Sequence, residues 1–301
     1  MVLFSARDVL QKGLKLAQVD AHRKSAKWQL QQFHAHYGSD PIDLANIWYD
    51  LTMTDIAKAK LSAKEKSENG FRMFMISNFF LWTYPKSSKI TASRFKIYEG
   101  YCRGETLWKW VGKIAALKEK KIVWDARLDS VDSEVFIVTI DGTDFRMWEK
   151  KHNLLPMDKG YCSHKYRHCA VKYEIAVSIF KSKCVWISGP HRGGKHDITI
   201  FREGLKDKIK QGKKLPVDRG YKSSKLDEGM LSPPCALDSK ELNNFKIRAR
   251  LRQETFNGRL KFFDALGQTF RHGIDKRKLV LEAICVIVQY QMDNGRPLFA
   301  V

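Results

Sequence analysis

Residues 250–261, reading RLRQETFNGRLK, constrain this chain more than any other stretch. Arg250, Glu254 and Lys261 follow one another at intervals of four and seven. At about 100° per residue their side chains fall within roughly 40° of arc, on one side of a helix. Phe245, Ala249, Phe256, Leu260 and Phe263 fall on roughly the opposite side. The stretch therefore predicts a helix that packs through one side and shows a carboxylate flanked by two cations on the other. Taken alone, such a face is equally that of an ordinary solvated helix carrying an Arg–Glu pair one turn apart.

Two upstream motifs give the face more meaning. Residues 134–145 read EVFIVTIDGTDF. The apolar, β-branched run over 135–140 predicts a buried strand that ends at Asp141. Residues 214–221 read KLPVDRGY, a short strand stopping at Asp218, with Pro216 confining it to an edge. Both aspartates also suit plain turns, because Asp-Gly and its near variants are common turn sequences. The order is the informative part: a strand-borne Asp, a strand-end Asp 77 residues later, then a helix-borne Glu with 35 residues between. Three carboxylates gathered together repel one another unless cations neutralise them. Such a set is a hard, all-oxygen donor group suited to Mg2+ or Mn2+. Two such ions about 4 Å apart serve in-line phosphoryl transfer.

These motifs resemble the signatures of DDE transposases of the PIF/Harbinger branch and of related bacterial insertion-sequence enzymes. The residues that carry the resemblance are Asp141-Gly142-Thr143, Asp218-Arg219-Gly220-Tyr221, and Arg250, Glu254 and Lys261 in an Arg-x3-Glu-x6-Lys pattern. Residues 189–201 (GPHRGGKHDITIF) are similar to that family's glycine-containing segment ending in His-Asp before a helix. The resemblance spans about residues 131–294. It implies an α/β, RNase H-like catalytic domain over 131–301, with Asp141, Asp218 and Glu254 as catalytic residues holding two Mg2+ or Mn2+ ions. It implies cleavage of double-stranded DNA at transposon ends and joining of the released 3′-OH to target DNA. Nuclear localisation, a homo-oligomer on DNA and a Myb-like accessory protein are further implications. The alternative is a domesticated, inactive copy serving as a DNA-binding or scaffold protein.

The charge agrees with a polyanionic partner. The chain carries 54 Lys and Arg against 33 Asp and Glu, a net charge of +21. Residues 1–130 contribute +9 and residues 131–301 contribute +12, so neither half is a neutral passenger. A ribosomal or anionic-membrane partner fits the charge alone equally well. The 44% hydrophobic content excludes a disordered basic tail. Six scattered cysteines suggest reduced thiols in an intracellular protein. The most apolar stretch, over 279–288, is interrupted by Glu282 and too short to span a bilayer, so no membrane role is expected.

Residues 1–130 predict an all-α domain. Asp40-Pro41 marks a break before a helix over 42–51. An aromatic helix over 71–84 stops at Pro85, and Ser87 or Ser88 would cap a short helix through Phe95. Leu107, Trp110, Val111, Ile114 and Leu117 form the apolar stripe of a helix over 105–120, with Lys109, Lys113, Lys118 and Lys120 on its polar side. Helix, turn and helix in a basic setting suggest a helix-turn-helix reader near 71–120. A plain helical subdomain is the other option, and Gly100 and Gly104 weaken a recognition helix starting near Tyr98.

In the catalytic half the pattern predicts strands over 135–141, 173–180, 183–189 and 214–218, and helices over 197–210, 241–265 and 275–294. Residues 222–240 form an irregular insertion. Lys165, Arg167 and Lys172 are expected to face phosphate, as are Arg192 and Lys195 in a glycine-rich loop over 189–195. Cys162, His164, His168 and Cys169 do not have zinc spacing. Asp197 occupies an N-cap position, and capping is one role for it. The resemblance suggests another: His196 and Asp197 as auxiliaries near the site.

Overall fold

A computed structural model describes residues 3–84, 104–124, 137–148, 158–210, 212–221, 230–231 and 233–301. The chain divides into two compact units, one of residues 1–121, 260–268 and 279–296, the other of residues 122–259, 269–278 and 297–301.

The regular elements described over residues 1–121 are all helical: α1 (Ala6–Leu16), α2 (Ala26–Tyr37), α3 (Pro41–Met53), α4 (Glu68–Trp82), α5 (Gly104–Ala116) and the single turn α6 (Lys118–Lys121). Local signals set the ends. Ser5 and Asp8 form a capping box at α1. Asp40 caps α3, with Pro41 at its first helical position, where a missing N–H costs nothing. Gly38 closes α2 in the left-handed conformation at φ 64, against the Trp82 ring. The core is aromatic: Trp48 is fully buried, with Phe71 at 5.2 Å and Trp110 at 6.1 Å between ring centroids.

The stripe expected over 105–120 is buried as a whole, Leu107, Trp110, Val111 and Ile114 on α5 and Leu117 where the expected single helix breaks before α6. The lysines of α5 and α6 are ion-paired, Lys113 from a buried position and Lys109, Lys118 and Lys120 from partly exposed ones. Lys113 is buried, donates to the Lys60 carbonyl at 2.7 Å and pairs with Glu65, which also takes Lys109 at 2.9 Å. Lys120 reaches Asp50 at 2.7 Å and Lys118 pairs with Glu282. These four cations are spent on internal pairs. The expected caps at Ser87 and Ser88, the helix through Phe95 and the start near Tyr98 lie outside the described residues, as do Pro85 and Gly100.

The second unit holds an antiparallel meander, β1 (Val138–Arg146), β2 (Ala170–Ser178) and β3 (Cys184–Arg192), in that spatial order. Next come α7 (Asp197–Glu203) and the short strands β4 (Leu215–Pro216) and β5 (Met230–Leu231), paired in parallel. β4 lies against β1. Ile140, Ala176, Val185, Phe201, Leu205 and Leu215 form the core beneath them. The chain closes with α8 (Lys240–Phe262), the single turn α9 (Asp264–Gly267) and α10 (Ile274–Asp293). The two long helices cross the boundary of the units, α8 after Arg259 and α10 after Lys278.

Three local expectations need correction. The first strand does not end at Asp141; it runs on through Gly142 to Arg146, paired with β2 throughout. The helix expected over 197–210 breaks at Gly204 (φ −143, ψ −80) and resumes as a 3-10 turn. The glycine-rich loop over 189–195 is largely strand, since β3 continues to Arg192. The Gly193 and Gly194 N–H groups already donate to the Ala170 and Gly160 carbonyls, so they are not turned out to cradle a phosphate.

Candidate active site

Asp141 stands mid-strand on β1, opposite Ile175. Asp218 follows β4 and opens the 3-10 turn Arg219–Tyr221, whose Tyr221 N–H donates to the Asp218 carbonyl at 3.1 Å. Glu254 lies on α8. Because β4 lies against β1 and α8 docks on the same strands, Asp141, Asp218, Glu254 and Arg250 line one pocket, with Thr139, Lys246 and Gln253 beside them. The three sequence-nominated acids thus meet, together with the nearer of the two nominated cations.

Their partners are specific. Arg250 Nε donates to Glu254 Oε1 at 2.9 Å, in a pair more than half exposed on each side. That bond and the charges of Asp218 and Asp141 push the Arg250 guanidinium above its ordinary value. One cation therefore feels all three carboxylates. Asp141 Oδ2 accepts from Asn257 Nδ2 at 2.7 Å. Among the described residues, no three His, Cys, Asp or Glu side chains are drawn close enough to form a metal-binding group. Asp141, Asp218 and Glu254 nevertheless line one pocket, and carboxylates are the donor type that a hard divalent ion takes. Asp141, Asp218 and Glu254 are the residues that would hold it.

The packing of α8 is richer than its apolar stripe. Ala249, Phe256, Leu260 and Phe263 are buried as expected, and Phe245 is half-buried. Lys246, Arg252, Gln253 and Asn257 are buried too, which widens the buried arc beyond the apolar one. Gln253 accepts from the Thr139 hydroxyl at 2.7 Å and donates to the Ile175 carbonyl at 3.3 Å. Arg252 donates to the Ser178 and Lys181 carbonyls at 3.0 and 2.8 Å. Polar side chains therefore seat this helix on β1 and β2.

A second polar cluster joins β1, β2 and the start of α7. Lys172 Nζ sits 2.8 Å from Asp197 Oδ1 and 3.9 Å from Asp144 Oδ1, and donates to the Lys195 carbonyl at 2.9 Å. Its side chain is only 11% exposed, so the expected phosphate-facing role is replaced by an internal one. Ser163, fully buried, donates to Asp144. Burial raises the Asp144 carboxyl, and the neighbouring Asp197 charge adds to that rise. Glu174, opposite Gly142 on β2, is pushed up to about 7 by burial and also by Asp197, against hydrogen bonds from Trp186 and Tyr221. The Tyr221 phenol is raised by burial and by the charges of Glu174, Asp197 and Asp141. Nothing local in the sequence marks Glu174, Asp144, Ser163 or Asn257, since each gains its partner from a distant element.

The remaining nominated residues are dispersed. His196, not Asp197, is the N-cap of α7, and its ring stacks on His164 at 6.0 Å. Arg192 is exposed and pairs with Asp158 at 3.6 Å; Lys195 pairs with Glu203. Lys165 is exposed beside the Tyr166 ring. Lys261 is half-buried in the last turn of α8 and belongs to the first compact unit.

Residues 140–289 match the family described as DDE superfamily endonuclease. The matched stretch contains Asp141, Asp197, Asp218, Glu254 and Lys261, and supports a DDE transposase family for this part of the chain. A small antiparallel sheet with helices is compatible with such a nuclease domain, and a domain of that family implies a DNA substrate. No curated protein matches the chain. No solved structure matches it either.

Proposed function

We propose that this protein is a metal-dependent DNA endonuclease and strand transferase of the PIF/Harbinger type, with an RNase H-like catalytic domain and Asp141, Asp218 and Glu254 as its catalytic acids. The observation that carries this is the shared pocket, lined by three carboxylates from a strand, a strand end and a helix together with Arg250. Divalent ions held there, Mg2+ or Mn2+, would supply charge neutralisation at the scissile phosphate and a more acidic attacking water or hydroxyl. The protein's own contribution is position. Asn257 fixes the Asp141 carboxylate, Gln253 fixes α8 on β1, and Arg250 offers a guanidinium that can pass from Glu254 to a phosphate oxygen. Strand transfer would use the same groups, with a DNA 3′-OH in the place of water.

The basic excess of the whole chain supports a long DNA contact, with Lys165, Arg192, Lys195 and Lys261 as candidate phosphate contacts beyond the pocket. Action in the nucleus, assembly of several copies on DNA and a Myb-like accessory protein belong to the same proposal. The test is nicking of a supercoiled plasmid by the full chain. Nicking that needs Mg2+ or Mn2+ and stops with chelator supports the proposal. Tight DNA binding with no metal-dependent cleavage of any DNA, including the element's own ends, would favour the inactive scaffold instead.

A further inference from the structure

The Asp197 carboxylate lies where two glycines leave room for it. A Cβ added at Gly142 would stand 2.3 Å from Asp197 Oδ1, and one added at Gly220 would stand 2.4 Å from Asp197 Oδ2. Real Cβ atoms do not approach so closely, so a side chain at either position requires Asp197 to move away from Lys172, 2.8 Å from its Oδ1. Gly142 directly follows Asp141, and Gly220 is two residues beyond Asp218. One carboxylate is thus inserted between the backbone of both acid-bearing motifs. Lys172 holds it from behind at 2.8 Å and is itself anchored on the Lys195 carbonyl. Asp197 Oδ1 is shut off from solvent.

We propose that Asp197 is a positioning residue, a clasp between Gly142 and Gly220 that sets the separation of Asp141 and Asp218. This rests on the two aspartates being metal-holding acids, as proposed above. The clasp works by shape. A carboxylate or an isosteric carboxamide fills the gap, an alanine leaves it empty, and a glutamate is one methylene too long for glycines already in contact. It also accounts for a glycine after each aspartate at different spacings: what matters is the approach of Asp197, not a common turn.

The experiment compares full-length wild type with Asp197→Asn, Asp197→Ala, Gly142→Ala and the Asp197→Ala/Gly142→Ala double variant. Mn2+ affinity is read by calorimetry, nicking on plasmid, duplex affinity by anisotropy and stability by thermal unfolding. Asp197→Asn should keep Mn2+ affinity within about threefold, whereas Asp197→Ala should lose about 10- to 100-fold, the range for residues that orient metal ligands, with duplex affinity unchanged. Gly142→Ala should lose both metal affinity and stability, and the double variant should be no worse than Asp197→Ala alone, because the new methyl enters the vacated space. Equal loss of Mn2+ with Asn and with Ala would make Asp197 a ligand and overturn the clasp. So would additive losses in the double variant, or wild-type metal affinity in Asp197→Ala. If the wild type itself neither binds Mn2+ nor nicks DNA, the pocket assignment fails. The thermal cycle between Gly142 and Asp197 then still judges the clasp, with additivity refuting it.

Discussion

Asn257 Nδ2 donates to Asp141 Oδ2 at 2.7 Å, so the helix that carries Glu254 is bonded directly to the strand acid it is meant to serve. Asn257 is only 6% exposed, three residues beyond Glu254 on α8. The bond fixes one oxygen of Asp141.

Asn257→Ala should therefore harm both stability and activity. The lost bond to a charged group costs about 1.5–3 kcal/mol of folding free energy. Nicking should fall about 10-fold or more, because Asp141 is left free to turn. Asn257→Asp should be worse still, since a second carboxylate would face Asp141 at hydrogen-bonding distance. Unfolding curves and plasmid nicking on the same preparations check this. Wild-type nicking in Asn257→Ala would remove the residue from the site.

Arg250→Ala separates metal from DNA. The guanidinium engages Glu254 at 2.9 Å and is raised by all three acids, so it competes with any divalent ion for the same charge. Removing it should leave Mn2+ affinity equal or higher, and should lower duplex affinity with about one fewer phosphate contact in the salt slope. The pair is half-exposed, so the stability change should be at most about 1 kcal/mol. A drop in Mn2+ affinity would contradict this account of Arg250.

Glu174 predicts a pH dependence of stability. Its folded pKa, about 7, lies above the ordinary value of 4.5 because the carboxyl is buried. The folded chain therefore keeps a proton that the unfolded chain releases. The stabilising contribution is complete below pH 4.5 and is lost as pH rises through about 7. The difference is on the order of 3 kcal/mol. Glu174→Gln should flatten this part of the slope relative to the parent. Urea unfolding at several pH values across the window measures it, and parallel slopes for variant and parent would refute the assignment.

Much of α8 is legible in the sequence, because a helix repeats its faces locally. Arg250 and Glu254 meet as their spacing requires, and the apolar side packs inward. Asn257 and Gln253 are not legible, since an amide at the edge of a polar face looks solvated until its partners on β1 and β2 are known. Asp141-Gly142 reads as a turn for a similar reason. Its glycine is explained by Asp197, which arrives from another element, so β1 continues where local chemistry says stop. Lys172 and the α5 lysines repeat the pattern: their charge is evident from the sequence, but whether it faces solvent or a buried acid depends on residues far along the chain. Most of the element order after residue 131 is legible from periodicity, but β5 (Met230–Leu231) lies within the stretch expected to be irregular, and Gly204 cuts short a helix that periodicity alone would extend.

The most direct test of the shared acid pocket is plasmid nicking in Mn2+ by wild type, Asp141→Asn, Asp218→Asn and Glu254→Gln, with duplex affinity measured alongside. Each variant should fold, bind DNA as well as or better than wild type because a repelling charge is gone, and lose cleavage by about 100-fold or more. Cleavage retained at the wild-type rate by any one of the three would contradict the account, because that carboxylate would then lie outside the reacting site.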